Sequence, residues 1–167
     1  LCPDALEGER PVAFYEVGEK LPKGSLLFYS RGGYVKKSDW KEYNILKYTF
    51  QAVKVNEGDE IIGIETDDPE PTTTLFFVTA KGMCLNAYKN DIPSQGRISA
   101  GVRGIALNEG DKVVFAGQID DGGEILVGTD GNTIKRVIVS QIDPMARYRK
   151  GVKIVDLGSN RSVVYAD

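Results

Sequence analysis

Apolar residues along this chain fall in short runs, and each run ends at a turn signal. Leu26-Leu27-Phe28-Tyr29-Ser30 leads into Arg31-Gly32-Gly33, and Leu75-Phe76-Phe77-Val78-Thr79 leads into Ala80-Lys81-Gly82. A third run, Ile125 to Thr129, leads into Asp130-Gly131. Taken as Leu26 to Gly33, Leu75 to Gly82 and Glu124 to Gly131, the motif returns twice at a step of 49 residues. A second set of runs, Glu60 to Glu65, Lys112 to Gly117 and Ser162 to Asp167, returns at steps of 52 and 50. No window places apolar residues at i, i+3, i+4 and i+7, and 19 glycines with 7 prolines punctuate the chain. Recurrence on this scale, built from short strands, predicts an all-β fold of propeller-like or solenoid repeats. The repeats span about 25–66, 74–117 and 123–167, after a lead-in at 1–24 that offers a strand to a blade.

Each first run closes on a Gly-Gly, Lys-Gly or Asp-Gly pair, the chemistry of a tight hairpin. Such turns require positive φ, which glycine adopts without steric cost. Gly33, Gly82 and Gly131 are the expected turn residues.

Composition narrows the function more by what is missing. The 167 residues contain no histidine, which removes Ser-His-Asp and Cys-His machinery and histidine metal sites. The two cysteines, Cys2 and Cys84, have no metal-ligand spacing, and Cys84 falls inside a predicted strand, as a structural thiol in a reducing cytosol would. Lys36-Lys37-Ser38 lacks the glycine spacing of a phosphate loop, and no cofactor motif is present. The carboxylate pairs Asp67-Asp68 and Asp120-Asp121 sit in Pro- or Gly-flanked connectors and are expected to be solvated. The Asn160-Arg161-Ser162 sequon carries no weight without a secretion signal. No apolar stretch is long enough to span a membrane. The chain opens at Leu1 in mid-pattern, as a piece excised from a longer protein would.

Net charge is −3, from 21 Lys and Arg against 24 Asp and Glu, yet the bases are not scattered. Residues 31–54 carry six bases and two acids, residues 81–103 four and one, and residues 131–153 six and one. Sixteen of the 21 bases therefore occupy the same portion of each repeat. Symmetry-related repeats turn periodic charge into a spatial stripe suited to a continuous polyanion. The competing reading is that these bases solubilise one face of a sheet. No recognition helix or RNA-binding aromatic motif is visible, and the aromatic residues mostly occupy strand positions that belong to a core.

The ordered set of Val78 to Gly82, Asp91-Ile92-Pro93-Ser94, Arg97 to Gly104 and Leu107 to Asp111 resembles the repeat of the C-terminal domains of bacterial type IIA topoisomerase A subunits, those of DNA gyrase and topoisomerase IV. Val55 to Asp59, Gly131 to Arg136 and Arg147 to Lys153 carry it into the other repeats. The resemblance implies a β-pinwheel, here about three four-stranded antiparallel blades that exchange strands with their neighbours. It also implies a non-catalytic domain that binds and bends double-stranded DNA on a basic rim, in the bacterial cytoplasm at the nucleoid. Its further partners would be the ATPase subunit plus the rest of the A subunit. The residues it puts forward are Arg31, Lys36, Lys37 and Lys47 in the first repeat, and Lys81, Arg97 and Arg103 in the second. In the third they are Lys135, Arg136, Arg147, Arg149, Lys150 and Lys153. Family discs have more blades than three, and Pro11 to Lys23 offers a strand to close or cap this one. The loops Asn44 to Gln51, Gln95 to Gly101 and Ala146 to Gly151 lack the Gln-Arg-Arg-Gly-Gly-Lys-Gly box of gyrase proper, which points to a topoisomerase IV-like or accessory role. The second repeat, with Leu85 and Asn86 at the places of Lys36 and Lys37, is expected to contribute least. The rival from another class is a propeller-like protein-interaction module that uses the acidic remainder of the surface.

Overall fold

In a computed structural model that describes residues 8–158 and 161–167, the repeats fold as three antiparallel sheets. The first repeat supplies β1 (Ser25–Ser30), β2 (Tyr34–Asp39) and β3 (Ile61–Thr66). The second supplies β4 (Thr73–Thr79), β5 (Met83–Ala87), the two-residue β6 (Val102–Arg103) and β7 (Val113–Asp120). The third supplies β8 (Glu124–Thr129), β9 (Ile134–Ile138), β10 (Val152–Lys153) and β11 (Val163–Ala166).

The sheets do not follow repeat boundaries. The first blade is ordered β3-β1-β2-β6, so its outer strand comes from the second repeat. The second is ordered β10-β5-β4-β7, its outer strand coming from the third repeat. Val102 lies opposite Val35, and Val152 opposite Cys84. This backward lending of a short strand is the blade exchange of a pinwheel. Among the described residues the third blade, β11-β8-β9, has three strands rather than the expected four. The lead-in forms no strand among its described residues; instead Leu21 packs on the first blade and the Tyr15 ring meets Trp40 edge-on.

Two cores lie between the blades. The central strand of the second blade is apolar on both faces because both are covered, which is why Leu75-Phe76-Phe77-Val78 reads as a continuous run. Leu75 and Phe77 face Leu27, Tyr29 and Val35 of the first blade, while Phe76 and Val78 face Ile125 and Val127 of the third. Cys84 is buried in the second of these cores as a free thiol, and burial pushes its pKa up to about 12. Cys2 and the sequon residue Asn160 lie outside the described residues.

The hairpin turns correct the register of the third repeat by one residue. Gly33 (φ 83) and Gly82 (φ 77) are left-handed, and their amides donate to Ser30 and Thr79 at 3.0 Å. In the third turn the left-handed residue is Asn132 (φ 59), not Gly131, and its amide donates to Thr129 at 3.1 Å. Asparagine is among the few non-glycine residues that enter this region readily.

A carboxylate clasps each of the first two turns. Asp59 accepts from the Ser30 hydroxyl at 2.6 Å and the Gly32 amide at 2.7 Å. Asp111 accepts from Thr79 at 2.7 Å and the Lys81 amide at 3.0 Å. The equivalent place two residues before β11 holds Arg161, whose side chain lies against Gly131. There Asp130, in the turn itself, accepts from the Ser162 amide at 3.0 Å.

Candidate nucleic-acid interface

The thirteen bases put forward from sequence separate by what already occupies them. Four meet carboxylates: Arg31 with Glu60, Lys37 with Asp67 at 2.5 Å, Arg136 with Glu124 at 3.3 Å, and Lys153 with Asp156 at 2.5 Å. The bond from Arg31, and then its charge, holds the Glu60 carboxyl below the usual range. Asp67 also reaches Lys89 at 3.7 Å and Asp68 accepts from the Glu70 amide at 2.9 Å, so this acidic pair is not the solvated connector the sequence suggests.

Lys36 departs furthest from its expected role. Its residue is 1% exposed. The ammonium donates to the Ala52 carbonyl at 3.0 Å, to the Arg97 carbonyl and to the Tyr43 hydroxyl, above the face of Phe28. Burial, followed by the nearby Arg97 charge, lowers its pKa to about 8. Lys36 is a stitch between the first repeat and the loop of the second, and no phosphate reaches it. Its counterpart Lys135 donates to the Ile154 carbonyl, and Lys81 to the Glu109 carbonyl.

Arg97 and Arg147 are equivalents that fasten their loops to the preceding repeat. Arg97 donates to the Gln51 carbonyl and lies over the Phe50 ring. Arg147 donates to the carbonyls of Asp91 at 3.2 Å and Arg103 at 3.1 Å.

What remains is concentrated at one junction. Arg103, on the lent strand β6, is exposed, and its guanidinium lies between two phenol rings, 5.6 Å from Tyr34 and 5.4 Å from Tyr148. Its Nη1 donates to the Tyr148 hydroxyl at 3.4 Å. Tyr148 is held at φ 61, unusual for a bulky residue, by its own amide bonding to the Gly104 carbonyl and by the Arg149 carbonyl accepting from Ala106. The chain then presents Arg149 and Lys150, both exposed with no side-chain partner among the described residues. Lys47, in the first-repeat loop, is similarly exposed and unpartnered. Two flanking rings restrain the guanidinium, and the donors not engaged by phenol hydroxyls remain for an acceptor such as phosphate.

Sequence reasoning missed Tyr34 and Tyr148 by assigning the aromatics to the core. The available signal was the tetrapeptide Arg147-Tyr148-Arg149-Lys150, in which a tyrosine flanked by bases has no apolar face to bury. Among the described residues, no group of three or more potential metal ligands comes together, and no helix is long and apolar enough to cross a membrane.

Comparison with known proteins agrees with this architecture repeat by repeat. The family model described as DNA gyrase C-terminal domain, beta-propeller, matches residues 24–66, 73–120 and 123–166. The chain is 32% identical over 155 residues to the A subunit of DNA gyrase from Escherichia coli, covering 92% of this chain and 17% of that protein. It is 30% identical over 133 residues to the A subunit of DNA topoisomerase 4 from Bacillus subtilis, covering 78% and 16%. Among solved structures, a C-terminal domain of DNA topoisomerase IV superposes with a TM-score of 0.81 at 26% identity, over 87% of this chain and 46% of that one. The chain thus spans about a sixth of the length of the curated relatives it matches.

Proposed function

The chain belongs to the family of the DNA gyrase C-terminal domain, and on that premise we propose that it binds and bends duplex DNA through backbone phosphates. The duplex is presented to the core of a bacterial type IIA topoisomerase for supercoiling or decatenation. Strand cleavage and ATP hydrolysis fall to parts of the parent enzyme outside these 167 residues, the rest of the A subunit plus the ATPase subunit, in the cytoplasm.

The observation that carries the reading is the Arg103 junction. Arg103 is oriented by Tyr34 and Tyr148, and Arg149 and Lys150 follow it with no carboxylate partner among the described residues. Lys47 adds a further free charge. The ion-paired bases Arg31, Lys37, Arg136 and Lys153 reach phosphate only by leaving a carboxylate, so they contribute less. Lys81, Arg97, Lys135 and Arg147 shape the surface through carbonyl bonds and contribute mainly by long-range charge.

Contacts of this type position DNA without reading bases. Binding of a fluorescent mixed-sequence duplex, titrated across salt, should give log K falling by about 0.9 per phosphate neutralised for each unit of log salt. Replacing Arg149 and Lys150 with alanine should reduce that slope by about two phosphates' worth, equally on unrelated sequences. No binding at low salt, or an unchanged slope in the double variant, would sink this assignment.

A further inference from the structure

The loop of the first repeat is built unlike its two counterparts. Counted back from the Asn56 to Asp59 turn as Gly101 is counted from the Asn108 to Asp111 turn, Thr49 takes the place of Gly101, and Gly151 takes it in the third repeat. Leu46-Lys47-Tyr48 therefore corresponds to Ile98-Ser99-Ala100 and to Tyr148-Arg149-Lys150. The second and third loops run on into the lent strands β6 and β10. The first instead turns back, with Phe50 beneath the Arg97 guanidinium and the Gln51 carbonyl accepting from it.

The tip of this loop is left in water. Leu46 and Tyr48 are 102% and 104% exposed, more than any other large apolar residue among those described. The stem beneath them is pinned on both sides. The Ile45 amide donates to the Tyr43 carbonyl at 2.9 Å, the Tyr43 hydroxyl to the Ala52 carbonyl at 3.3 Å, and the Lys54 amide to the Ser99 carbonyl at 3.2 Å. A pinned stem lets two apolar side chains press on a partner without folding back onto their own blade.

Charge around the tip selects the partner. Lys47, between the two, and Lys54, in the stem, are exposed with no side-chain partner among the described residues. Glu42, the acid of this segment, is engaged by the Arg97 amide at 3.4 Å. Equivalent positions of stacked repeats share a face, and at these positions the third repeat carries the free bases Arg149 and Lys150. A duplex meets such a rim with its phosphates, and the apolar surface it can offer there lies between its base pairs.

We propose that Leu46 and Tyr48 form a wedge that enters the minor groove and parts one base step, with Lys47 on a phosphate beside it. The inference rests on the DNA-binding reading above and adds where the duplex hinges. Pyrimidine–purine steps unstack most easily, so TpA steps are the preferred points of entry. The domain would then select sites by deformability, while its phosphate contacts stay indifferent to sequence.

The test titrates the full chain at low salt onto an end-labelled duplex with 2-aminopurine in TpA steps one helical turn apart. A second duplex of equal composition gathers its A·T pairs into A-tracts. Anisotropy reports binding, and 2-aminopurine emission reports unstacking. Emission should rise at least about twofold at saturation, and the TpA duplex should bind at least about threefold more tightly than the A-tract duplex. Replacing both tip residues, Leu46→Ser with Tyr48→Ser, should abolish the rise and the preference with the urea midpoint read from Trp40 unchanged. Tyr48→Phe should keep both. Binding by the parent without the rise, or a rise that survives the double substitution, would overturn the wedge and leave the phosphate reading standing. No binding of the parent to either duplex would overturn both. A dimer of the parent that the double substitution abolishes would also overturn the wedge, since a second copy would then cover the tip.

Discussion

Gly101→Ala and Gly58→Ala form a controlled pair for the claim that close approach, rather than backbone conformation, makes the lent strand depend on glycine. Both residues belong to the first blade or its strand neighbour, and both are left-handed, at φ 84 and 74. A Cβ on Gly58 meets nothing within 4 Å, whereas one on Gly101 would lie 2.4 Å from the Val35 oxygen and 2.9 Å from the Lys36 Cβ. Left-handed strain costs each variant about 1–2 kcal/mol, and the loss of unfolded-state freedom is the same for both. Only Gly101→Ala must also push β6 off β2. Losing two ladder hydrogen bonds costs about 1 kcal/mol each, and uncovering part of Val35 and Ile105 adds about 1 kcal/mol. Gly101→Ala should therefore be about 2–4 kcal/mol more destabilising than Gly58→Ala. Trp40, the single tryptophan, is buried in the first blade beside Phe28, so its fluorescence in urea titrations reports this unit directly. If the two variants fall within about 0.5 kcal/mol of each other, the steric argument fails.

Lys36 gives the fold a pH dependence of defined sign. Unfolded, it keeps its proton to about pH 10.4; folded, it releases it from about 8. The unfolded state therefore binds more protons in that window, and stability should climb from pH 8 to 10.5 by on the order of 3 kcal/mol. Urea midpoints at pH 7 and 10 should separate less in Lys36→Met than in the parent, and an equal separation would remove Lys36 as the cause. Asp111→Ala strips acceptors from the Thr79 hydroxyl and the amides of Lys81 and Lys112, and should cost about 2–4 kcal/mol. The exposed neighbour Glu109→Ala, which binds Lys81 only through its backbone carbonyl, should stay within about 0.5 kcal/mol by the same denaturation assay.

Burial patterns made the long strands legible, and β1, β4 and β8 fall where the apolar runs predict. The lent strands were not legible as strands, because two residues carry no periodicity. Only their glycines marked them, and the reason for those glycines, a carbonyl on another repeat, is a tertiary fact. The third turn slipped by one residue because Gly131 satisfies the usual expectation while Asn132 meets the same requirement.

The bases were hardest to read for a related reason. Lys36 and Lys37 are adjacent and chemically identical, yet period-two alternation sends one beneath Tyr43 and Ala52 and the other to Asp67. What covers Lys36 is an irregular loop, which no strand pattern anticipates, and what neutralises Lys37 lies 30 residues away in sequence. A count of charges per repeat measures what a chain could offer a polyanion. The free offer is what remains after carboxylates and carbonyls have taken their share. Here that remainder gathers where the third repeat's loop crosses the second repeat's lent strand, so the strand exchange that builds the blades also assembles the Arg103 junction.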